Sequence, residues 1–550
     1  MAAVATSRRK ACVLAAWMAE NAKERPKRAP GEEQEGNAMA SYVIGVDIGT
    51  TGTKTGLYDA TGRQCGTGYE ESKLYYPRPG WVEQNNEDIY GAAVRTIRLA
   101  LDESGINPAD VAAVAFDGQM AGLSTVGSGW SSPTEYDSWL DNRCAGYLPR
   151  LKEIEAEIIA SAGSAPAFNA GPKMLYWKHE WPDVWRKIVK FTQPAPYVAG
   201  RLANLPAEEA FIDRTYLVFS CFGDTKNARW NHDLIDRFDL DARKLPRVLD
   251  PWEIIGRVSR EAAAECGLLQ GTPIAAGCGD QAANVFGAGI VEPGQVYDAA
   301  GTASIFATVL DQFVTDTTYL TLMTSSHVVP ELYFAMAYVA GGGLNTRWFR
   351  DEFCGPEKVE WEKQRHNTYQ KLGDMAATIA PGSEKLFFLP HLSGRNTPND
   401  PDMRGAFIGL TWAHRKPHLY RAILESIGYE YALYLKAVGT IAPTAKASEV
   451  INIGGGARSS AFQQIKADIL GLPYRGLNRD EFGTLGTAII AGKSVGLFPD
   501  IAATAKAFVT PSPTVIAPNP ERHRIYQDHV ALYEELTAGS RPLFKAIARM

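Results

Sequence analysis

Two short apolar runs joined by a polar turn open the patterned part of the chain. From Tyr42 the sequence reads YVIGVDIGTTGTKTGLYDATG, in which β-type segments flank a turn rich in Gly and Thr. Further on, the helical patterns 89–103 and 173–185 alternate with the apolar segments 111–116 and 272–277. This alternation predicts a layered α/β architecture that opens with a β-hairpin.

A second series of the same kind begins at Gln295. There the segment VYDAAGTASIFATV again places an Asp and a Gly-Thr turn between two β-runs, so that residues 298–302 resemble residues 47–51. Two turns of one type, far apart in the chain, suggest two domains built on one plan. The cleft between such domains is the expected ligand site.

The two ends of the chain differ from this pattern. Residues 1–41 combine a basic start, a short apolar patch and a charged, proline-bearing run, which favours a disordered N-terminal extension over a signal peptide, with Met39 as an alternative natural start. From Asn519 the sequence is amphipathic and helical. We therefore expect an extension (1–41), an N-terminal domain (42–296), a C-terminal domain (297–520) and a helical tail (521–550).

Composition narrows the classes of protein. The chain has 550 residues, too many for one ordinary core, and its net charge of -6 offers no general attraction for nucleic acid or anionic lipid. Its seven cysteines are dispersed, without metal-type spacing, as is typical of reduced thiols in a cytoplasmic protein. No apolar stretch approaches the length of a membrane span, about 20 residues. We expect a soluble cytoplasmic protein that binds neither nucleic acid nor membrane.

Three glycine-containing turns are candidates for chemistry. In DIGTTGTK (47–54), backbone N–H groups and Thr hydroxyls suit a phosphate and Asp47 suits Mg²⁺, although a plain Gly/Thr turn is the alternative. In GCGDQAAN (277–284), Asp280 follows a strand and is either a general base or a helix cap. The triplet 454–456 offers a flat surface to a nucleotide, or forms a tight helix entry.

Taken together, these motifs resemble the FGGY-type carbohydrate kinases. The matching segments, in the family's order, are DIGTTGTK (47–54), GQM (118–120), WLDNR (139–143), GDQ (279–281), GTAS (301–304), PHLSGRNTPNDPDMRGAFIGL (390–410) and GGGARS (454–459). The resemblance covers residues 42–520. It implies an α/β fold of two actin-like (ribonuclease H-like) domains flanking a catalytic cleft, with the sugar held mostly by the first domain and ATP by the second.

The resemblance also implies roles for individual residues. Asp280 matches the family's catalytic base, and Asp47 matches the carboxylate associated with Mg²⁺. The positions that match nucleotide contacts are Thr50, Thr51, Lys54, Gly301, Thr302, Gly343, Gly456 and Ala457. The positions expected to line the acceptor pocket are Gln119, Met120, Trp139, Asp141, Asp280 and Gln281.

The acceptor is the open part of this hypothesis. The spacing of GQM and W-x-D-x-R is most similar to that of xylulose kinases, which favours a pentulose such as D-xylulose. Those enzymes usually carry His where this chain has Ala121, and commonly Asn where it has Gln281, which resembles glycerol kinase instead. Ribulose, fuculose and polyols such as erythritol or glycerol are therefore alternative acceptors. The sequence also leaves open which hydroxyl is phosphorylated, whether the protein is regulated allosterically and whether it forms a homodimer.

Two functions without catalysis are the alternatives to a kinase. Actin-like chaperones and filament proteins also use glycine turns and a phosphate hairpin, but they do not need an acidic residue beside a sugar pocket. A degenerate kinase could serve as a sugar sensor. The GDQ and WLDNR segments favour the enzyme, and ADP release stimulated by a sugar separates the three.

Overall fold

The computed structural model describes residues 41–550. Two seven-stranded mixed sheets and the helices around them form the architecture, which confirms the expected α/β class. The strands, in chain order, are β1 (Tyr42–Ile48), β2 (Gly52–Asp59), β3 (Gln64–Glu71), β4 (Glu83–Gln84), β5 (Val111–Gly118), β6 (Ser124–Val126), β7 (Tyr136–Asp137), β8 (Lys190–Thr192), β9 (Phe211–Asp213), β10 (Gly223–Asp224), β11 (Arg229–Trp230), β12 (Arg247–Leu249), β13 (Ile254–Arg257), β14 (Pro273–Ala275), β15 (Cys278–Gly279), β16 (Val296–Ala300), β17 (Ser304–Leu310), β18 (Met323–Ser326), β19 (Tyr333–Val339), β20 (Phe387–Leu389), β21 (Ala406–Ile408), β22 (Val450–Ile453), β23 (Tyr474–Leu477) and β24 (Pro511–Ile516).

The α-helices connect and cover these strands. They are Asn86–Ser104, Leu148–Lys152, Glu155–Ala162, Ala170–Glu180, Pro182–Lys187, Pro194–Leu202, His232–Arg237, Arg260–Cys266, Asp280–Gly287, Gly342–Phe353, Gly355–Lys363, Thr368–Ala377, Lys416–Ile441, Ser460–Leu470, Gly483–Ser494, Ile501–Phe508 and Pro520–Ala548.

The two sheets share one plan. In the first, β1 pairs with β2 in antiparallel fashion and with β5 in parallel fashion. Six strands follow the order β13-β14-β5-β1-β2-β3, and the seventh, β15, pairs with β5. In the second, β16 pairs with β17 in antiparallel fashion and with β22 in parallel fashion, in the order β18-β19-β17-β16-β22-β23-β24. The hairpin that starts each sheet holds the Asp and the Gly-Thr turn noted in the sequence.

The predicted elements are present with small shifts of their ends, apart from one. The pattern 173–185 predicts a single helix, but the chain forms Ala170–Glu180 and Pro182–Lys187 with a break at Trp181, whose φ of -133° and ψ of 65° are not helical. Pro182 explains the correction, because a proline disfavours the helical conformation at the residue before it and cannot donate a backbone hydrogen bond.

One helix from late in the chain packs on the first sheet. Gly483–Ser494 lies against β1 and β5 and crosses the helix Asp280–Gly287. The approach is close: a Cβ built on Gly45 would lie 2.0 Å from the Thr484 carbonyl oxygen, and one on Gly486 would lie 2.3 Å from that of Ala283. Apolar residues from both halves of the chain therefore form a common core. The apolar core of the second sheet also includes residues of Pro520–Ala548, the predicted amphipathic tail.

Candidate active site

Three aspartates lie side by side where strands of the first sheet end. Asp47 on β1 is the Cα partner of Asp117 on β5, and Asp117 is the partner of Cys278 on β15, two residues before Asp280. The carboxyl ends of parallel strands meet at one edge of a sheet, which is where ligands bind in open α/β sheets. The strand register thus gathers Asp47, Asp117 and Asp280 at this edge.

Burial and nearby negative charges raise the pKa of each of these carboxyls. Burial and the charge of Asp47 raise the pKa of Asp280 to about 7, which N–H groups of Gln281 offset in part. The pKa of Asp47 rises to about 6 through burial and the charge of Glu481, against the opposing effect of Lys54. The pKa of Asp117 also lies well above its usual value, chiefly through burial and then Asp47. Such a cluster favours a cation or a proton.

Two oxygens of the cluster are buried without a hydrogen-bond partner. They are Oδ1 of Asp117 and Oδ1 of Asp280. The other oxygen of Asp117, Oδ2, accepts a hydrogen bond from the Thr487 hydroxyl at 2.5 Å. Since a buried polar atom normally has a partner, these two oxygens are available to a water or to a ligand group.

A polar network joins the turn of the first hairpin to residues that were predicted to bind the sugar. The Thr50 hydroxyl donates to Gln119 Oε1 at 3.1 Å and accepts from Trp139 Nε1 at 2.9 Å. Gln119 Nε2 donates to Gln84 Oε1 at 2.6 Å, and Gln84 Nε2 donates to the Thr50 carbonyl at 3.3 Å. Thr50, predicted as a nucleotide contact, is therefore bonded to two residues that were predicted to bind the sugar.

The remaining predicted sugar residues lie around this network. Met120 is buried against Gly279, where an added Cβ would lie 2.5 Å from its sulfur, and Gln281 is half-buried beside Asp280. Asp141 is fully buried. Its two oxygens accept bonds from the Arg143 guanidinium at 2.9 and 2.8 Å.

Arg143 fixes the WLDNR segment from behind. Its guanidinium lies 3.8 Å from the centroid of the Trp81 ring and is also paired with Glu83 at 2.8 Å and Asp137 at 3.0 Å. The Asp141 carboxylate additionally accepts the Val82 N–H at 2.7 Å. All of these contacts hold the loop that carries Trp139, so Asp141 is in a position to orient that loop.

On the hairpin itself, Thr51 and Lys54 have different surroundings. The Thr51 side chain is exposed, and its carbonyl accepts the Ser72 N–H at 3.0 Å. Lys54 is 46% exposed and pairs with Glu481 at 3.2 Å, across from a segment late in the chain. Lys54 is therefore partly exposed to solvent, with its charge partly balanced by Glu481.

The turns predicted to bind the nucleotide converge at the ends of β16 and β22. The Gly343 N–H donates to the Gly301 carbonyl at 3.1 Å, and the Leu344 N–H donates to that of Thr302 at 3.2 Å. On the neighbouring strand, Gly456 packs on Ala300, where a Cβ would lie 2.4 Å from the Ala300 Cβ. Ala457 follows in the same 3-10 turn, Gly455–Arg458.

The second sheet treats its own aspartate differently. Asp298, the counterpart of Asp47, is fully buried, forms an ion pair with Lys466 and accepts the Tyr431 hydroxyl at 2.8 Å. Its charge is thus compensated inside the domain, whereas Asp47 is acted on by the negative charge of Glu481 as well as by Lys54. Of the two aspartates, the one without an ion pair to a buried lysine is therefore on the first sheet.

Sequence reasoning missed Asp117, Gln84, Glu481 and Thr487. Asp117 directly precedes the GQM segment at the end of a predicted strand, which was the one available signal. The other three are in ordinary local sequence and reach the cleft only through tertiary packing. Among residues 41–550, no helix is long and apolar enough to cross a membrane.

Comparison with known proteins identifies one family over most of the chain. Residues 42–287 match the family model of the FGGY carbohydrate kinases' N-terminal domain, and residues 296–495 match that of their C-terminal domain. A xylulose kinase of Staphylococcus epidermidis is 27% identical over 506 residues, covering 92% of this chain and 98% of the relative. An autoinducer-2 kinase of Escherichia coli K12 is 30% identical over 509 residues, covering 88% and 92%.

Solved structures share the fold over nearly the whole chain. A ligand-bound xylulose kinase from Lactobacillus acidophilus superposes with a TM-score of 0.83 at 25% identity, covering 92% of this chain and 99% of the other. A glycerol kinase from Plasmodium falciparum with ADP superposes with a TM-score of 0.78 at 16% identity, covering 90% and 98%, and shows the fold alone.

Proposed function

Since the chain belongs to the FGGY family of carbohydrate kinases, we propose that it transfers the γ-phosphoryl group of Mg-ATP to a hydroxyl of a ketose, a pentulose such as D-xylulose, with Asp280 as general base. The bond from the sugar oxygen to the γ-phosphorus forms as the bond from that phosphorus to the β,γ-bridging oxygen breaks. The hydroxyl proton passes to Asp280, and ADP leaves.

The free carboxylate oxygen of Asp280 is the observation that carries this proposal. Asp280 Oδ1 is buried without a partner at the edge where three strands end, and the pKa of the group is about 7. A general base is most effective when its pKa lies near the working pH, since it is then both ionised and basic. A sugar hydroxyl that reached Oδ1 would satisfy the unpaired oxygen and lose its proton there.

The nucleotide is assigned to the first hairpin and to the turns of the second domain. We propose that Thr51 and Lys54 of the first hairpin, with the second domain's turns, contact the phosphates and the nucleoside. The turn residues are Gly301, Thr302, Gly343, Gly456 and Ala457. Their backbone N–H groups and small side chains suit close approach of an anion.

Magnesium fits the carboxylate edge, and Asp47 is the residue we propose to hold it. Among residues 41–550, no three His, Cys, Asp or Glu side chains converge as a group able to hold a metal. This agrees with Mg²⁺, which usually keeps several waters and binds through one or two carboxylates plus substrate phosphates. When bound, the cation neutralises charge on the phosphates. Without it, the positive charge that acts on Asp47 is that of Lys54, which also pairs with Glu481.

The sugar pocket is proposed to lie along the Thr50 network. Trp139 offers an apolar ring face to sugar C–H groups while its N–H is already bonded to Thr50, and Gln281 offers an amide group to hydroxyls. Gln119 is buried with both ends of its amide bonded, to Thr50 and to Gln84, so it fixes the pocket wall. The xylulose kinase relatives, in sequence and in solved structures, favour a pentulose. A second candidate is the substrate of the autoinducer-2 kinases, because those relatives reach 30% identity.

A panel of acceptors tests the proposal. Purified protein with Mg-ATP is assayed by coupled ADP release against D-xylulose, D-ribulose, L-fuculose, erythritol, glycerol and autoinducer-2. We expect a ketose to give the highest kcat/KM, with Asp280→Asn as the inactive control. Release of ADP that no member of the panel stimulates would contradict the proposal.

We place the enzyme in the cytoplasm, since the six cysteines of residues 41–550 are free thiols.

A further inference from the structure

Asp117 is a buried carboxylate for which neither the family resemblance nor the proposed mechanism has a use. It is fully buried on β5, and its Cα partner on the adjacent parallel strand is Asp47. Residues that are partners across parallel strands direct their side chains to the same face of the sheet. The Asp117 and Asp47 side chains therefore lie on one face, at neighbouring positions along the edge of the cleft.

The contacts of Asp117 leave half of its carboxylate free. Oδ2 accepts the Thr487 hydroxyl, whereas Oδ1 is buried with no partner. The charges that act on the group most strongly are acidic, those of Asp47, Asp280 and Glu481. A carboxylate oxygen left buried and unpaired among like charges is costly. Asp117 is therefore either protonated and hydrogen-bonded to the Asp47 carboxyl, or it meets a positive group that arrives with the substrates.

We propose that Asp117 is a second carboxylate directed at the divalent cation of Mg-ATP, which it and Asp47 hold from adjacent strands, directly or through a water of the cation. The inference rests on the proposed use of Mg²⁺. Two carboxylates, phosphate oxygens and waters together make the oxygen environment that Mg²⁺ requires. The competing explanation is that Asp117 only anchors the helix Gly483–Ser494 through its bond to Thr487.

Two variants separate these explanations without relying on turnover. Asp117→Asn keeps the size of the side chain and an oxygen for the Thr487 hydroxyl, but removes the charge. Thr487→Val keeps the Asp117 carboxylate and removes the hydroxyl that anchors the helix. Asp117→Ser provides a second neutral variant if the amide packs poorly. Circular dichroism and thermal melting of the metal-free proteins establish that each variant folds.

The measured quantity is cation affinity in the presence of saturating ADP, obtained for Mn²⁺ by electron paramagnetic resonance and for Mg²⁺ by calorimetry. For Asp117→Asn and Asp117→Ser we expect affinity to fall by about 10- to 100-fold, the size of effect seen when a group that tunes a metal site is removed. We expect Thr487→Val to stay within about threefold of the wild type. The metal-free Asp117→Asn protein should melt at the same temperature as the wild type or higher, because a repulsive charge is gone.

Three results would overturn the inference. Cation affinity of Asp117→Asn within twofold of the wild type would show that the carboxylate does not face the cation. An equal loss in Thr487→Val and Asp117→Asn would assign the effect to the position of the helix. Absence of cation binding by the wild-type protein with ADP would instead refute the proposed cofactor, and this inference with it.

Discussion

Replacing Asp280 with Asn tests the assigned chemistry most directly. The residue begins the helix Asp280–Gly287, and its Oδ1 has no partner, so the substitution keeps the side-chain volume and disturbs no hydrogen bond of that oxygen. What it removes is the proton acceptor. A general base contributes about 10²- to 10⁴-fold to the rate. This corresponds to roughly 3 to 5 kcal/mol in the activation barrier.

The pKa of Asp280 gives the same prediction a second readout. Because this pKa is about 7 and the base must be ionised, activity is lost as the pH falls through 7. The ionised fraction rises from about a tenth at pH 6 to about nine tenths at pH 8, so kcat/KM for the sugar should rise about tenfold between them in the wild type. Asp280→Asn should show no such rise.

Stability should move in the opposite direction to activity. A carboxyl whose pKa is raised in the folded state costs stability above its unfolded pKa, because ionisation then favours the unfolded chain. Asp280→Asn should therefore melt at a higher temperature than the wild type at pH 8, measured by scanning calorimetry. A variant that kept turnover within threefold, or that kept the pH dependence, would refute the role of Asp280 as base.

Three further substitutions probe the pocket, the helix crossing and the hairpin. Trp139→Phe loses the hydrogen bond to Thr50. Steady-state kinetics should show that KM for the sugar rises about 3- to 12-fold while KM for ATP is unchanged. A rise in KM for ATP alone would contradict this prediction. Gly486→Ala forces apart two crossing helices and should destabilise the folded protein by about 1 to 3 kcal/mol. The control Gly539→Ala lies in open space on a helix and should stabilise the protein by about 0.5 to 1 kcal/mol. Equal shifts of the melting temperature in the two variants would contradict the close helix crossing. Lys54→Met leaves Glu481 unpaired beside Asp47 and should raise KM for ATP but not KM for the sugar. An unchanged KM for ATP would show that Lys54 does not contact the nucleotide.

Local sequence was sufficient for the elements that local forces determine. The strand and turn at 42–54 were predictable because β-type apolar residues flank a run of Gly and Thr, and the helix Asn86–Ser104 because its apolar face recurs with helical spacing. The break at Trp181 was readable from Pro182 in principle, but the apolar pattern continues across it. Periodicity alone therefore predicted one helix instead of two.

The cleft was only partly predictable, because its charges come from distant parts of the chain. Asp47 and Asp280 stand beside glycines at strand ends, a signal present in the sequence itself. Glu481 and Thr487 reach the aspartates only because a helix of the second half packs on the first sheet. No local pattern indicates that Thr50 bonds to Trp139, since that contact depends on the fold of the loop between them.

The position of the helix Gly483–Ser494 has a consequence for biosynthesis. The ribosome completes β1 and β5 long before it makes the helix that covers most of one of their faces, which includes Gly45 and Ala113. Until residue 494 has emerged, only the helix Asp280–Gly287 contributes to the cover of that face. Apolar sheet surface exposed for that long is prone to aggregate and is a natural substrate for chaperones. A fragment that ends at residue 296, the expected domain boundary, lacks the helix Gly483–Ser494 and leaves this face exposed. The two halves produced together would cover the face by assembling in trans.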